Sequence, residues 1–107
     1  MIVFGRDIKE TDLGGGVRRK VLAHDESIMT VEVSFDTGAV GAVHTHPHSQ
    51  ISYCVSGSFR ADIGGEVKII SVGDSYVVAP NLPHGVVCLS AGTLVDVFAP
   101  AREDFLK

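Results

Sequence analysis

The 107-residue chain lacks the features that mark several classes of protein. No stretch approaches the roughly 20 consecutive apolar residues that a membrane-spanning helix needs, so we expect no membrane association. Basic residues are also scarce: nine Lys and Arg stand against thirteen Asp and Glu, for a formal net charge of -4. A protein that binds nucleic acid neutralises phosphates with a basic face, so this composition argues against a nucleic-acid partner. The length itself predicts a single domain.

Cysteine is rare, and the N-terminus carries no mark of secretion. The two cysteines, Cys54 and Cys88, are too few for the disulfide framework of a small secreted domain. Each lies in an apolar, strand-like run, where a buried and unreactive thiol is the usual role. The N-terminal segment lacks both the basic region and the long apolar region of a signal peptide. We therefore expect a protein of the reducing cytoplasm.

Helical periodicity is absent as well, whereas the marks of short strands are abundant. Apolar and polar residues alternate from Met29 to Phe35, which is the period of a half-buried strand. The pair Gly64–Gly65 between two strand-like runs predicts a hairpin, because glycine takes the positive φ of a two-residue turn. Ser90–Gly92 predicts a second hairpin, between runs at 84–89 and 93–98. Strand signals recur about every eight to twelve residues, which is typical of an all-β sandwich or barrel.

Three of the five histidines are packed into the segment His44–His48. Alternate residues of an extended chain point to the same face, so His44 and His46 would lie side by side, with Cα atoms about 6 to 7 Å apart. Gln50 follows four residues after His46, and His84 comes from a distant segment after its own proline turn. Imidazole nitrogen is the commonest donor to borderline metals, and a carboxamide oxygen can complete the set. These four side chains are therefore a candidate metal site.

The spacing of these residues resembles the two sequence motifs of the cupin family. The first motif is matched at its intervals by Gly38, His44, His46 and Gly57, and Gln50 stands at its remaining position. Glutamine replaces the glutamate of the usual pattern at position 50. The second motif is matched by Gly73–Asp74, whose glycine lies eleven residues before His84. The chain departs from that motif at Ala79, where proline is usual, and at Asn81, where glycine is usual. Asparagine tolerates the left-handed conformation that such a turn needs.

The cupin resemblance implies an all-β fold, a double-stranded β-helix or jelly-roll barrel with a metal ion in its mouth. We expect one domain over residues 1–107, with a cupin core at about 28–99 and an N-terminal strand extension at 1–27. Small β domains with exposed edges commonly pair, so we expect a homodimer. The metal ligands implied by the resemblance are His44, His46, Gln50 and His84.

Glutamine at position 50 makes the expected ligand set electrically neutral. Three neutral imidazoles and an amide leave a divalent ion with its full charge, whereas a carboxylate would help to stabilise an oxidised, trivalent iron. The site therefore favours Lewis-acid chemistry over redox cycling. A six-coordinate ion would keep two positions free for a bidentate substrate. The expected ion is nickel, iron, zinc or manganese.

A lone carboxylate, Asp96, interrupts an apolar strand near the C-terminus. Side-chain alternation places it on the same face as Leu94 and Phe98. The hairpin predicted at Ser90–Gly92 would make this strand a neighbour of the strand that begins at His84, so that Asp96 could face the metal cavity. Desolvation would raise the pKa of Asp96 and the cation would lower it. Such a carboxylate could act as general acid or base.

The C-terminal sequence, together with the four metal-site residues, resembles the small cupins of the KdgF type, which act in pectin and alginate breakdown. The resemblance implies ring opening of 4,5-unsaturated monouronates, the products of polyuronate lyases, to open-chain 4-deoxy-5-keto uronates. It also implies that Asp96 and Phe98 lie at the catalytic site and that Arg102 meets the carboxylate of a small anionic sugar acid. Two alternatives stay open: a metal-dependent dioxygenase or isomerase of another small organic acid, and a non-catalytic sugar-acid sensor.

Overall fold

The structure, a computed structural model, describes all 107 residues. Regular structure consists of eight β-strands and two short 3₁₀ turns at Gly5–Asp7 and Glu103–Leu106. The chain contains no helix with the length and hydropathy to cross a membrane. The strands, in chain order, are β1 (Thr11–Gly14), β2 (Val17–His24), β3 (Met29–Phe35), β4 (Val40–His44), β5 (Ser49–Ile63), β6 (Glu66–Ser71), β7 (Ser75–Val78) and β8 (His84–Ala99).

The strands form one antiparallel sheet built around its two longest members, β5 and β8. The hydrogen-bonded order is β1-β2-β3-β8-β5-β6, with β4 paired on β8 and β7 paired on β5. The first half of β8 pairs with β4 and the second half with β3. In the same way, β5 changes partner from β7 to β6 along its length. Each long strand therefore passes from one part of the sheet to another.

The backbones of β5 and β8 lie very close together at Gly57 and Gly92. A Cβ atom on Gly57 would collide with the carbonyl oxygen of Ser90, and one on Gly92 would collide with the carbonyl oxygen of Ser56. The register between the two strands shifts at this point. Because no side chain fits here, the two glycines allow the long strands to bend as a pair.

The two predicted hairpins have different outcomes. The first is confirmed: Ile63 pairs with Glu66 across Gly64–Gly65, and both glycines have positive φ. The second is wrong, because β8 runs without reversal through Ser90–Gly92 and stays paired with β5 on both sides of that segment. Gly92 is needed there for the close approach to β5, and the segment carries a shift of register rather than a turn.

The core is built from inward-facing side chains of β3, β5 and β8. The predicted alternation of Met29–Phe35 is confirmed, since buried side chains alternate with partly exposed ones along the whole strand. Phe35 packs edge-to-face on Phe59, with ring centroids 5.2 Å apart. Cys54 and Cys88 are free and buried, and burial raises the pKa of both thiols. They are the unreactive core cysteines that the sequence predicts.

Candidate metal centre and its cavity

The three histidines of the candidate metal site converge at one end of the sheet. His44 ends β4 and His84 begins β8, and the two are direct partners in the β4–β8 register. His46 lies in the loop that follows β4, and Gln50 lies near the start of β5. The histidines could hold a metal ion, because a ligand atom from each lies within 4.8 Å of the others. His46, Gln50 and His84 are buried, while His44 is open to solvent.

Hydrogen bonds to the backbone fix how each imidazole presents its nitrogens. Each Nδ1 lies next to a carbonyl oxygen: His44 next to Ala42 at 2.8 Å, His46 next to His48 at 3.2 Å, and His84 next to Leu82 at 2.8 Å. A carbonyl oxygen can only accept, so these contacts assign the proton of each neutral ring to Nδ1. Each Nε2 is then left with a free lone pair, as a metal ligand requires.

The free lone pairs face one another. Nε2 of His46 lies 3.1 Å from Nε2 of His84 and 2.9 Å from Oε1 of Gln50. With the protons on Nδ1, all three atoms are acceptors, and acceptors this close repel unless a cation lies among them. Burial lowers the pKa of His46 and of His84, so an extra proton on either ring is disfavoured as the cation between these acceptors. The donor chemistry fits a metal ion.

A short chain of hydrogen bonds orients the Gln50 amide. Asp96 accepts a hydrogen bond from the Ser52 hydroxyl at 2.6 Å, and the same hydroxyl oxygen accepts from Nε2 of Gln50 at 2.9 Å. Because an ionised carboxylate can only accept, the direction of both bonds is set and Oε1 of Gln50 points towards the histidines. Ser52 is fully buried. The amide oxygen is thereby available to the site as a ligand.

Asp96 lies in the same cavity as the candidate metal site, as expected, but the hairpin predicted at Ser90–Gly92 is not what places it there. Its position follows from direct pairing of β8 with β5, in which Asp96 lies opposite Ser52. Burial raises the pKa of Asp96 to about 6, against the lowering effects of the Ser52 hydrogen bond, Arg102 and His44. A carboxyl group that titrates near neutrality can both accept and donate a proton at working pH.

Phe98 and Arg102 lie beside the same site. Phe98 is the register partner of Gln50 and packs edge-on against the His46 ring, with centroids 5.6 Å apart. The guanidinium carbon of Arg102 lies 5.0 Å from the centroid of the Phe98 ring. Arg102 donates two hydrogen bonds to the Asp104 carboxylate, from Nε at 3.1 Å and from Nη2 at 2.9 Å.

A cavity of about 340 Å³ joins these groups. Six of the seven residues predicted from the sequence line it: His44, Gln50, His84, Asp96, Phe98 and Arg102. His46 lies behind them in contact with Gln50 and His84. The remaining lining is largely apolar, including Val33 and Leu94 of the core. The volume suits a small molecule that reaches the metal site from one side.

Comparison with known proteins identifies the fold. A family model for the cupin domain matches residues 31–98. The chain belongs to the cupin family. The pectin degradation protein KdgF of Dickeya dadantii is 44% identical over 97 residues, which cover 89% of this chain and 88% of that protein. An RmlC-like cupin from Shewanella frigidimarina has a TM-score of 0.94 at 45% identity, covering 97% of this chain and 94% of the other. KdgF from Halomonas sp. has a TM-score of 0.94 at 36% identity, covering 98% of this chain and 97% of the other.

These similarities confirm the predicted fold class, a single-domain jelly-roll cupin. The second cupin motif also keeps its turn where the sequence departs from the usual pattern. Asn81 has a φ of 65°, the left-handed conformation that glycine would otherwise supply. Its backbone N–H donates to the carbonyl oxygen of His46 at 2.8 Å. The turn before β8 therefore holds the loop that carries His46.

Sequence reasoning missed four residues of this cupin site: Ser52, and Arg19, Tyr76 and Phe105, which line the cavity. Ser52 was detectable, because it lies two residues after Gln50 on a strand and so shares its face. Arg19 was not, because it lies on β2 and reaches the cavity only through the pairing of β2 with β3.

Proposed function

We propose that this cupin is a metal-dependent enzyme of pectin breakdown that opens the ring of 4,5-unsaturated monouronates to the open-chain 4-deoxy-5-keto uronate. The observation that supports it most is the juxtaposition of two groups in one cavity: a convergent set of neutral metal donors and a carboxyl group, Asp96, with a pKa of about 6. The similarity to KdgF proteins over most of the chain supports the substrate class.

The proposed metal ligands are His44, His46, Gln50 and His84. A divalent ion bound there supplies Lewis-acid polarisation of the substrate oxygens. Nickel, iron, zinc and manganese all suit such donors. The ligand set carries no negative charge, and this favours ring opening over an oxygenase reaction that must stabilise trivalent iron.

Asp96 is the proposed proton-transfer group. Ring opening to the ketone moves one proton overall, from the anomeric hydroxyl to the carbon at position 4, while the bond between C1 and the ring oxygen breaks. Ionised Asp96 takes the first proton, and the resulting neutral carboxyl delivers a proton to C4. Because its pKa is about 6, the Asp96 carboxyl group can change between its ionised and neutral forms near neutral pH. The Ser52 hydroxyl holds the carboxylate in place throughout.

The remaining proposed roles concern binding. Phe98 forms an apolar wall of the pocket, because its buried ring packs between the metal site and the C-terminal segment. Arg102 offsets the charge of an anionic substrate. A local positive charge is needed because the chain as a whole has a formal net charge of -4.

The direct test mixes the metal-loaded protein with freshly made, lyase-generated unsaturated monouronate and follows loss of the ultraviolet absorbance of the conjugated acid. We expect a rate far above spontaneous ring opening, and Asp96→Asn should lower that rate by about 10²- to 10⁴-fold while keeping the metal. Glu32→Gln is the matched control, because it removes a carboxylate from the opposite face of the neighbouring strand β3.

Three outcomes would contradict the proposal. A metal-loaded protein that gives no acceleration is not a uronate ring-opening enzyme, and ligand binding without turnover would instead favour a sensor. Oxygen uptake with strict dependence on iron would favour a dioxygenase. A His44→Ala protein that keeps both metal and activity would exclude the proposed ligand set.

We also propose that the protein is a cytoplasmic homodimer. The outer face of β5 and β7 is apolar, with Ile51 54% exposed and its register partner Val77 67% exposed. Tyr53 continues this face at 48% exposure. A second copy that covers the face would remove this surface from water. Light scattering should give the mass of a dimer, and Ile51→Glu should shift it to that of a monomer.

A further inference from the structure

Two arginines line the cavity, and both lie over the Phe105 ring, but they differ in their hydrogen-bond and ion-pair partners. Arg102 is held by the bidentate ion pair with Asp104, and only 11% of its side chain is exposed. The Arg19 side chain makes no hydrogen bond, and the four ion pairs of the chain involve only Arg18, Lys68 and Arg102 as cations. A guanidinium has five N–H donors. Arg19 therefore brings a full set of unused donors to the cavity.

The strand register explains why Arg19 faces the cavity. Arg19 pairs with Val33 on β3, and Val33 pairs with Leu94 on β8. Val33 and Leu94 are buried and line the cavity, and Leu94 lies two residues before Asp96 on the same face of β8. Arg18, the preceding residue, points to the other face. The inner face of the sheet thus carries the Arg19 side chain towards the proposed acid–base group.

Aromatic packing holds the Arg19 guanidinium in position. Its carbon atom lies 3.9 Å from the centroid of the Phe105 ring, and that ring packs edge-on against Phe98 at 5.7 Å. Stacking on a ring face orients the guanidinium plane without using its N–H donors. Burial lowers the pKa of Arg19, with Arg102 acting in the same direction and Asp104 against it. The charge is thus partly desolvated and lacks a direct partner.

We infer that Arg19 binds the carboxylate of the anionic substrate, an inference that rests on the function proposed above. A guanidinium fork matches a planar carboxylate through two parallel hydrogen bonds. Asp96, the one acidic residue among those lining the cavity, is held by Ser52 and faces the site of proton transfer. Arg102 then contributes positive charge to the pocket, while Arg19 makes the direct contact. The specificity for an acid sugar over a neutral sugar resides in Arg19.

The kinetic test compares Arg19→Gln with Arg19→Lys. Arg19→Gln should raise KM by about 10- to 100-fold, which is the usual worth of a charge-assisted hydrogen bond, and should leave kcat within a few-fold and metal content unchanged. Arg19→Lys keeps the charge without the fork and should raise KM less. Arg18→Gln is the matched control, since it removes the same charge from the outer face of β2, and its KM should equal that of the wild type.

A binding test separates this inference from the proposed function, because it needs no turnover. Titration calorimetry compares galacturonate with galactose, which has a hydroxymethyl group in place of the carboxylate. The wild type should bind galacturonate more tightly than galactose, and Arg19→Gln should lose this preference. That result would support Arg19 as the anion site even if the wild type opened no unsaturated uronate.

Three results would overturn the inference while leaving ring opening intact. The first is an unchanged KM in Arg19→Gln. The second is an equal rise in KM in Arg19→Gln and Arg19→Lys, which would show that packing on Phe105 is the role of this side chain. The third is a wild type that binds galactose as well as it binds galacturonate.

Discussion

Replacement of Asp96 by asparagine should stabilise the metal-free protein at neutral pH. Burial raises the pKa of Asp96 from 3.8 to about 6, so the folded state holds its neutral form more tightly than the unfolded chain does. Above the folded pKa the ionised group therefore lowers the free energy of unfolding, and this penalty shrinks as the pH falls towards 4. Two pKa units correspond to about 3 kcal/mol, which is the upper limit of the gain. Asparagine carries no charge to desolvate, and its carbonyl oxygen can still accept from Ser52.

Urea unfolding of the chelator-treated proteins measures this effect. At pH 8 we expect the free energy of unfolding of Asp96→Asn to exceed that of the wild type by about 2 to 3 kcal/mol. At pH 4, just above the unfolded pKa of 3.8, we expect this difference to fall to about 0.5 kcal/mol. In Glu32→Gln, the change in the free energy of unfolding between pH 4 and pH 8 should equal that of the wild type. The same Asp96→Asn protein should lose about 10²- to 10⁴-fold in ring-opening rate. A stability gap that is equal at both pH values, or a less stable variant at pH 8, would refute the proposed desolvation of Asp96.

Three further substitutions test the metal site and the bend. Gln50→Glu adds a negative charge to the ligand set, so it should tighten divalent-metal binding about tenfold, measured by chelator competition, and slow ring opening. Ser52→Ala releases both the Gln50 amide and Asp96. It should weaken metal binding about tenfold. It should also move the lower limb of the pH–rate profile to higher pH, because the Ser52 hydrogen bond lowers the pKa of Asp96 and its removal lets that pKa rise. Gly92→Ala should lower the free energy of unfolding by about 1 to 3 kcal/mol in urea, whereas Gly5→Ala, where a Cβ meets nothing within 4 Å, should be neutral.

Local patterns predicted those parts of the fold that depend on neighbouring residues. The alternation of Met29–Phe35 and the turn at Gly64–Gly65 are both set within a few residues, and both are confirmed. Ser90–Gly92 has the same turn-like composition, but its glycine serves a contact with the backbone of Ser56 on another strand. Composition alone does not distinguish a chain reversal from a close crossing, because the deciding partner is distant in sequence.

The site residues that were predicted depend on their neighbours in sequence, whereas Arg19, which was missed, depends on a distant strand. His44 and His46 are two residues apart, so their common direction could be read from strand periodicity. Ser52 lies two residues after Gln50 and so shares its face, but neither charge nor metal-donor chemistry marks a serine as a positioning group. Arg19 belongs to the site only through the β2–β3 register, and no local pattern distinguishes it from its neighbour Arg18, which points to the other face.

The bend at Gly92 links the fold to the chemistry. His84 and Asp96 lie twelve residues apart on one strand, which would separate them by about 40 Å if β8 were straight. The longest dimension of the molecule is 35 Å, and both residues line one cavity. The strand must therefore turn between them, and it does so where the backbones of β5 and β8 are too close for any side chain. A proposed metal ligand and the proposed acid–base group thus meet because one glycine lets a single strand contribute to the cavity from both of its ends.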